Sequence, residues 1–421
     1  MNKYLFILSF AGAAFFSACS NSEDLSIGDF PSVDEAKGSA LIFEAKQDSE
    51  IPITLRIAQG RAITRKPIDP TSVDSEGYGN FSSEIDDPLT TETNEARYLG
   101  VFCLATGYQF PYKDNPPIIN KWKDDNTGLL VRMKNVPAIV ENGDITFKDV
   151  DNEGNVSGSK EYYYPIGKWM KYNFYAYYPW QETNASLEIS ENTVVEMNYE
   201  IDGSQDIIWG MANPDDNIYN DAPDGAEPFS ASYFRWKKAD IAEHGGDITD
   251  YYPQFSFKHK LVQFRFFIKA ANSTALGKDI KVTAMSISNA IYKLKLVVAD
   301  KRSEPKNVNG DLRIDNSNGS VTKELKIKYV NPTDKTDFQN TDRFGDPYSV
   351  TVTDVNVNTA TPVGYIMLPS PSISKESGFK YKLDVTVNYS EGTATKQYEI
   401  NPPDGGFIEG KIYNIVISID V

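Results

Sequence analysis

Tyr381-Lys382-Leu383-Asp384-Val385-Thr386-Val387-Asn388-Tyr389 decides the fold class. Apolar and polar residues alternate along it. An extended chain therefore places Leu383, Val385 and Val387 on one face and leaves the other to water. A helix would scatter the same side chains around its axis. The pattern recurs elsewhere. Ile53, Leu55 and Ile57 share a face within Ile51–Ile57, and Val282, Ala284, Ser286 and Ser288 oppose Met285 and Ile287. At the far end Tyr413, Ile415, Ile417, Ile419 and Val421 lie on one side, with Asn414, Ser418 and Asp420 on the other. Turn-forming residues separate these runs at Asn142-Gly143-Asp144, Asn155 to Gly158, Asn309-Gly310 and Pro402 to Gly406. No segment sustains a 3.6-residue apolar stripe beyond two turns. The class is all-β, a sandwich or a barrel.

The 421 residues suffice for two or three domains, each burying its own core. Residues 213–229, NPDDNIYNDAPDGAEPF, are acidic and rich in Pro, Gly and Asn, and residues 237–250 are polar as well. A strong strand pattern resumes at Gln254. We therefore expect an N-terminal β domain over residues 30–240 and a C-terminal one over 250–421. Net charge is −17 and pI about 4.7, with no basic cluster. Nucleic acid needs concentrated Lys and Arg, so it is excluded as a partner.

Lys3 is followed by the apolar run Tyr4–Phe16, then Ser17-Ala18-Cys19, then Ser20-Asn21-Ser22-Glu23-Asp24. A charged start, a short apolar core and small residues before the break make a secretory signal over residues 1–18. The cysteine at the break resembles that of a bacterial lipoprotein signal, with Cys19 receiving lipid. That implies a body outside the cytoplasm, tethered to membrane lipid without crossing it. No later apolar run approaches the ~20 residues of a membrane helix. With Cys19 lipidated, Cys103 has no intrachain partner and is expected to be a small buried hydrophobe.

Chemistry is sparse. The chain has two histidines, His244 in a Gly-rich loop and His259 in a strand pattern beside Phe255, Phe257 and Leu261. With Cys103 far away they make no Cys/His zinc pattern. No nucleophile elbow, P-loop or dinucleotide fingerprint follows a strand. Asp149-x-Asp151-x-Glu153-Gly154 resembles the start of a calcium loop, but its twelfth position is Lys160 where a bidentate Glu is needed, so a charged hairpin tip is the better reading. Tyr162-Tyr163-Tyr164 and the stretch Trp169 to Trp180 are either core aromatics or a platform for sugars. No catalytic residue, cofactor or metal ligand is expected.

Six features in chain order resemble those of fimbrillin-like proteins of Bacteroidales, the type V pilins. They are Leu41-Ile42-Phe43 with Arg61-Ala62; Leu99-Gly100-Val101-Phe102; Phe174-Tyr175-Ala176-Tyr177-Tyr178-Pro179; Ser204-Gln205-Asp206-Ile207-Ile208-Trp209-Gly210; Phe257-Lys258-His259-Lys260-Leu261; and Gly410-Lys411-Ile412-Tyr413. The resemblance implies two tandem transthyretin-like β-sandwich domains and a structural, adhesive subunit of a surface fimbria. It implies export as an outer-membrane lipoprotein, then cleavage after Arg61 or Arg65. That cut removes a segment beginning at Cys19, within an N-terminal region of residues 19–65. The partners implied are other pilus subunits, outer-membrane lipid through Cys19, and a host or bacterial surface receptor. Removing the strand with Ile53, Leu55 and Ile57 is expected to leave an apolar groove edged by unpaired backbone groups, a template for another strand. The strand of Tyr413, Ile415, Ile417, Ile419 and Val421 is a candidate donor, or simply the last strand of its own sandwich. An outer-surface carbohydrate-binding lipoprotein is the alternative.

Overall fold

A computed structural model describes residues 51–57, 78–80, 98–107, 122, 130–141, 143–151, 154–165, 171–182, 187–190, 194–212, 228–301, 308–317, 319–329, 349–374, 376–403 and 405–421. The strands of the first half are β1 (Leu55–Ile57), β2 (Tyr78–Asn80), β3 (Leu99–Gly107), β4 (Val131–Glu141), β5 (Asp144–Phe147), β6 (Asp149–Val150), β7 (Val156–Ser157), β8 (Lys171–Tyr178), β9 (Leu187–Ser190), β10 (Val194–Glu200) and β11 (Ile208–Ala212). Helix α1 (Ala231–His244) follows. Then come β12 (Gln254–His259), β13 (Val262–Ala270), the short helix α2 (Ser273–Leu276), β14 (Lys281–Ile291), β15 (Lys293–Asp300), β16 (Leu312–Ile314), β17 (Thr322–Lys326), β18 (Lys328–Tyr329), β19 (Val350–Thr351), β20 (Thr361–Leu368), β21 (Tyr381–Tyr389), β22 (Gly392–Ile400) and β23 (Lys411–Ile419). The described chain is all-β in class, as its period-two runs require.

One sheet closes on itself in the order β1-β12-β11-β8-β3-β4-β5, with β5 returning to β1. Every pairing in this ring is antiparallel except β1 with β12. A second sheet, β9-β10-β15-β16, lies against the ring, where the Trp209 indole of β11 donates to the Val298 carbonyl of β15 at 2.9 Å. Two further large sheets, β18-β20-β13-β23-β2 and β17-β14-β21-β22, face each other as a sandwich, and β6 with β7 makes a separate two-stranded hairpin. Phe264 sits between them, 6.0 Å from Tyr381 and 4.8 Å from Phe407 by ring centroids. One apolar cluster runs continuously from ring to sandwich. Strands on both sides of residues 240–250 share sheets: β12 completes the ring, and β15 pairs along β10.

The alternating runs bury the expected faces with one instructive departure. Tyr381, Leu383, Val385 and Val387 are buried in β21. In β14 a bulge between Val282 and Ala284 shifts the register, so Val282 is buried together with Met285 and Ile287 where strict alternation opposes them. Helix α1 is also a departure, because the sequence shows no sustained helical stripe there. Only Ala231, Tyr233, Phe234 and Lys237 are buried, so its apolar face is confined to the first turns. Ser230 caps its start, the hydroxyl accepting from the Tyr233 N–H, and Gly245 ends it at φ 85°.

Candidate functional site

The ring closes through the segment Ile51–Ile57. Ile51, Ile53, Leu55 and Ile57 are all buried, Leu55 completely, while Pro52, Thr54 and Arg56 face outward. Both edges are engaged. Ile53 N–H donates to Tyr162 O at 2.7 Å, Tyr164 N–H donates to Ile51 O at 3.0 Å, and Ile57 N–H donates to Gly143 O at 2.9 Å. On the other side Arg56 N–H donates to Pro253 O at 3.0 Å, and Ile57 pairs with Phe255 in parallel register. The Arg56 side chain reaches Asp144 at 2.9 Å. Tyr164, beside the segment, stacks on Phe234 of α1 at 5.4 Å. Ile51–Ile57 is thus an integral wall of the ring.

Five of the six resemblance motifs meet in three dimensions, while Leu41-Ile42-Phe43 with Arg61-Ala62 lies outside the described residues. The Phe-Tyr-Ala-Tyr-Tyr strand is β8, between β3 and β11. Gly100 of β3 lies under its Tyr177 ring; a Cβ there would stand 2.2 Å from a ring carbon, so no larger residue fits. Asp206 and His259, from two separate motifs, form a buried pair, His259 Nδ1 to Asp206 Oδ2 at 2.5 Å. Gly410 N–H donates to Leu261 O at 2.8 Å, joining the last two motifs. His259 is therefore a hydrogen-bonded core residue, whereas His244 is exposed beside Asp240.

The C-terminal strand lies in its own sandwich. β23 runs parallel to β13 from Ile412 to Ile419 and antiparallel to β2 over Lys411–Tyr413. Tyr413, Ile417 and Ile419 are buried, and Ile415 and Val421 are half-buried against the same core. Its end is clamped: Lys278 Nζ donates to Val421 O at 2.6 Å and Lys396 Nζ to Asp420 O.

Beside the ring is an open cleft of about 360 Å3, bounded by the bend at Lys134–Pro137, by Lys148–Asp151, and by Tyr162, Trp180 and Glu182. Asn135 organises one wall. It adopts φ 52°, a left-handed conformation that Asn tolerates. Its Oδ1 accepts from Tyr177 Oη at 2.6 Å, its Nδ2 donates to Gln181 O at 2.8 Å, and its carbonyl accepts from Trp180 Nε1 at 3.1 Å. Opposite stands the β6–β7 hairpin, the region resembling a calcium loop. Lys160, at the twelfth position, places its ammonium 2.8 Å from Asp149. That contact holds the Asp149 carboxyl below the usual carboxylate range and raises Lys160, while burial pushes the Tyr162 phenol up. Asp151 accepts from the backbone and side chain of Asn155, so the hairpin is bonded to itself across the base of its turn, and Glu153 lies outside the described residues. Among the described residues no three His, Cys, Asp or Glu side chains are grouped to hold a metal.

Of the aromatics singled out in sequence, Tyr162 and Trp180 line the cleft, while Tyr164, Tyr172, Phe174, Tyr175 and Tyr177 are core. Lys134, Asn135, Lys148 and Glu182 carry no sequence signal, since they come together only through the ring. Cys103 is buried, and burial pushes its thiol up. Cys19, Arg61, Arg65 and Trp169 lie outside the described residues.

No family model matches the chain, and no curated protein matches it. Solved structures do match. A candidate cell adhesion protein from Bacteroides uniformis is 15% identical, with 88% of this chain and 95% of that one covered and a TM-score of 0.39. A fimbrial protein from Bacteroides vulgatus is 14% identical over 87% and 95%, with a TM-score of 0.39. The fimbrial anchor protein Mfa2 from Porphyromonas gingivalis is 9% identical over 72% and 74%, with a TM-score of 0.23. These three solved structures are named for fimbriae and cell adhesion.

Proposed function

We propose that the chain is a structural and adhesive, non-enzymatic subunit of a bacterial surface fimbria. In this reading it is exported as an outer-membrane lipoprotein through Cys19 and cleaved after Arg61 or Arg65. It is then assembled by strand exchange with other subunits, and the processed protein resides in the fimbrium. The observation that supports strand exchange is the seat of Ile51–Ile57, with four buried apolar side chains and backbone partners on both edges. Full burial of one such side chain contributes about 1.5–3 kcal/mol, so the four contribute on the order of 6–12 kcal/mol. That rivals the ~5–15 kcal/mol by which a whole domain is stable. A ring that loses this segment must therefore refill the seat. A sister molecule's strand does so edge to edge, and head-to-tail repetition yields an open filament. The filling segment needs apolar residues at alternate positions. Tyr413, Ile415, Ile417, Ile419 and Val421 have that pattern, although donating them requires β23 to leave β13 first.

Limited trypsin digestion of the purified chain tests the proposal. Cleavage at Arg61 or Arg65, mapped by N-terminal sequencing, is expected to convert monomers into oligomers on size exclusion. Monomers that stay unchanged after the cut and loss of the segment would refute strand exchange. A second reading, a surface protein that grips glycans, draws on the cleft beside Trp180.

A further inference from the structure

The cleft between the Asn135 bend and the β6–β7 hairpin has a preset shape and unspent polar groups. Trp180 is held by its Nε1 bond to Asn135 O and by the edge of Tyr98, with ring centroids 6.1 Å apart. Tyr162 is held by an edge-on contact with Phe147 at 5.5 Å, by Lys160 over its ring at 5.7 Å, and by its backbone bond to Ile53. Both rings are half-buried, so each keeps apolar surface for a ligand to cover. Around them, Lys134, Lys148 and Glu182 make no side-chain hydrogen bond or ion pair with a described residue. Donors and an acceptor thus stand ready beside fixed aromatic surfaces.

Charge and topology narrow the ligand. The cleft is lined by Lys134, Lys148 and Lys160 and by Asp149, Asp151 and Glu182, so its cations and carboxylates balance. A strongly charged ligand gains little from a balanced cleft, because each attraction is met by a repulsion. A peptide adding as a strand needs a long free edge, yet β4, which forms the bend, is already paired by β3 and β5, and β6 and β7 opposite are only two residues each. What remains is a ligand with apolar C–H faces to lie on aromatic rings and hydroxyls that both donate and accept. We propose that this cleft binds an uncharged oligosaccharide, with sugar faces packed on Tyr162 and Trp180 and hydroxyls bonded by Lys134, Lys148 and Glu182. A volume of about 360 Å3 lies at the small end of ligand clefts, suited to a short stretch of glycan. The inference names a ligand class for the adhesive half of the proposed function and rests on that half alone. Binding is read on the uncut monomer, so its failure leaves strand exchange standing, and the reverse holds too.

The test is isothermal titration of the uncut monomer with maltotetraose, cellotetraose, chitotetraose and mannotetraose, with sialyllactose as the charged comparator. Saturable binding of at least one neutral tetrasaccharide is expected. Tyr162→Ala or Trp180→Ala should weaken it about tenfold, the equivalent of one lost stacked ring. Trp180 also holds the Asn135 bend, so Glu182→Gln and Lys134→Ala form a second pair on exposed positions. Each should weaken binding by about threefold, one hydrogen bond's worth, with an unchanged melting temperature. No binding of any neutral sugar, preference for sialyllactose, or full affinity in these variants overturns the proposal.

Discussion

The segment Ile51–Ile57 and the strand β23 both carry apolar residues at alternate positions, yet the fold holds them differently. Ile51–Ile57 buries four apolar side chains, while its backbone pairing is limited to the three-residue strand β1, with two registered pairs to β12 and two to β5, and to one antiparallel bridge between Pro52 and Tyr163. β23 has eight registered pairs with β13, three more with β2, and lysine clamps on its last carbonyls. The first is held chiefly by burial, the second by burial and an extensive backbone ladder. A segment held chiefly by side-chain burial can be replaced by any strand that offers the same side chains. One held by a long central ladder cannot leave without opening its own sheet. Under the proposed strand exchange, this contrast favours β1 as the exchangeable piece and makes β23 a costly donor.

The largest effect should come from removing each piece. Deleting residues 20–61 takes away on the order of 6–12 kcal/mol of burial and leaves two open strand edges. The expected outcome is oligomers by size exclusion, returned toward monomer by a synthetic peptide spanning residues 51–57. Truncation before Ile415 should instead unfold the sandwich, read as lost near-ultraviolet dichroism with no rescue by the corresponding peptide. Rescue in both cases would erase the distinction.

Single substitutions sharpen it at smaller scale. Leu55→Ala and Ile417→Ala both empty buried space, and each should lower stability by about 2–5 kcal/mol in urea titrations. Only Leu55→Ala should speed exchange of a labelled 51–57 peptide into cleaved protein. Equal exchange rates would mean that burial of β1 does not gate the seat. The smallest effect belongs to Arg56→Ala. Its ion pair with Asp144 is solvent-exposed on the carboxylate side, so its loss should shift stability by less than about 1 kcal/mol. A larger loss in thermal unfolding would show that the ring depends on that ion pair as well as on burial.

Much of this was legible in sequence, and the failures have physical causes. The buried faces of Ile51–Ile57 and β21 follow from alternation. Alternation failed in β14 because a bulge is set by the partner strand and leaves no mark in the residues themselves. Helix α1 was invisible because a surface helix with an apolar face only at its start makes no periodic stripe. The Asp206–His259 pair joins motifs recognised separately, but their contact depends on β11 lying against β12. At the cleft, Tyr162 and Trp180 stood out as aromatics; Asn135, Lys148 and Glu182 did not, because ordinary polar residues acquire a role only through position.

Local sterics and side-chain polarity act over a few residues, so the sequence alone determined the all-β class, the buried face of most strands and the acidic character of the chain. Partner choice is different. That β1 lies parallel to β12, that β15 joins β10, and that a bend at Asn135 faces a charged hairpin depend on contacts between residues far apart in the chain. Only the tertiary structure decided those, because such pairings are selected by how the whole set of apolar faces can be buried at once.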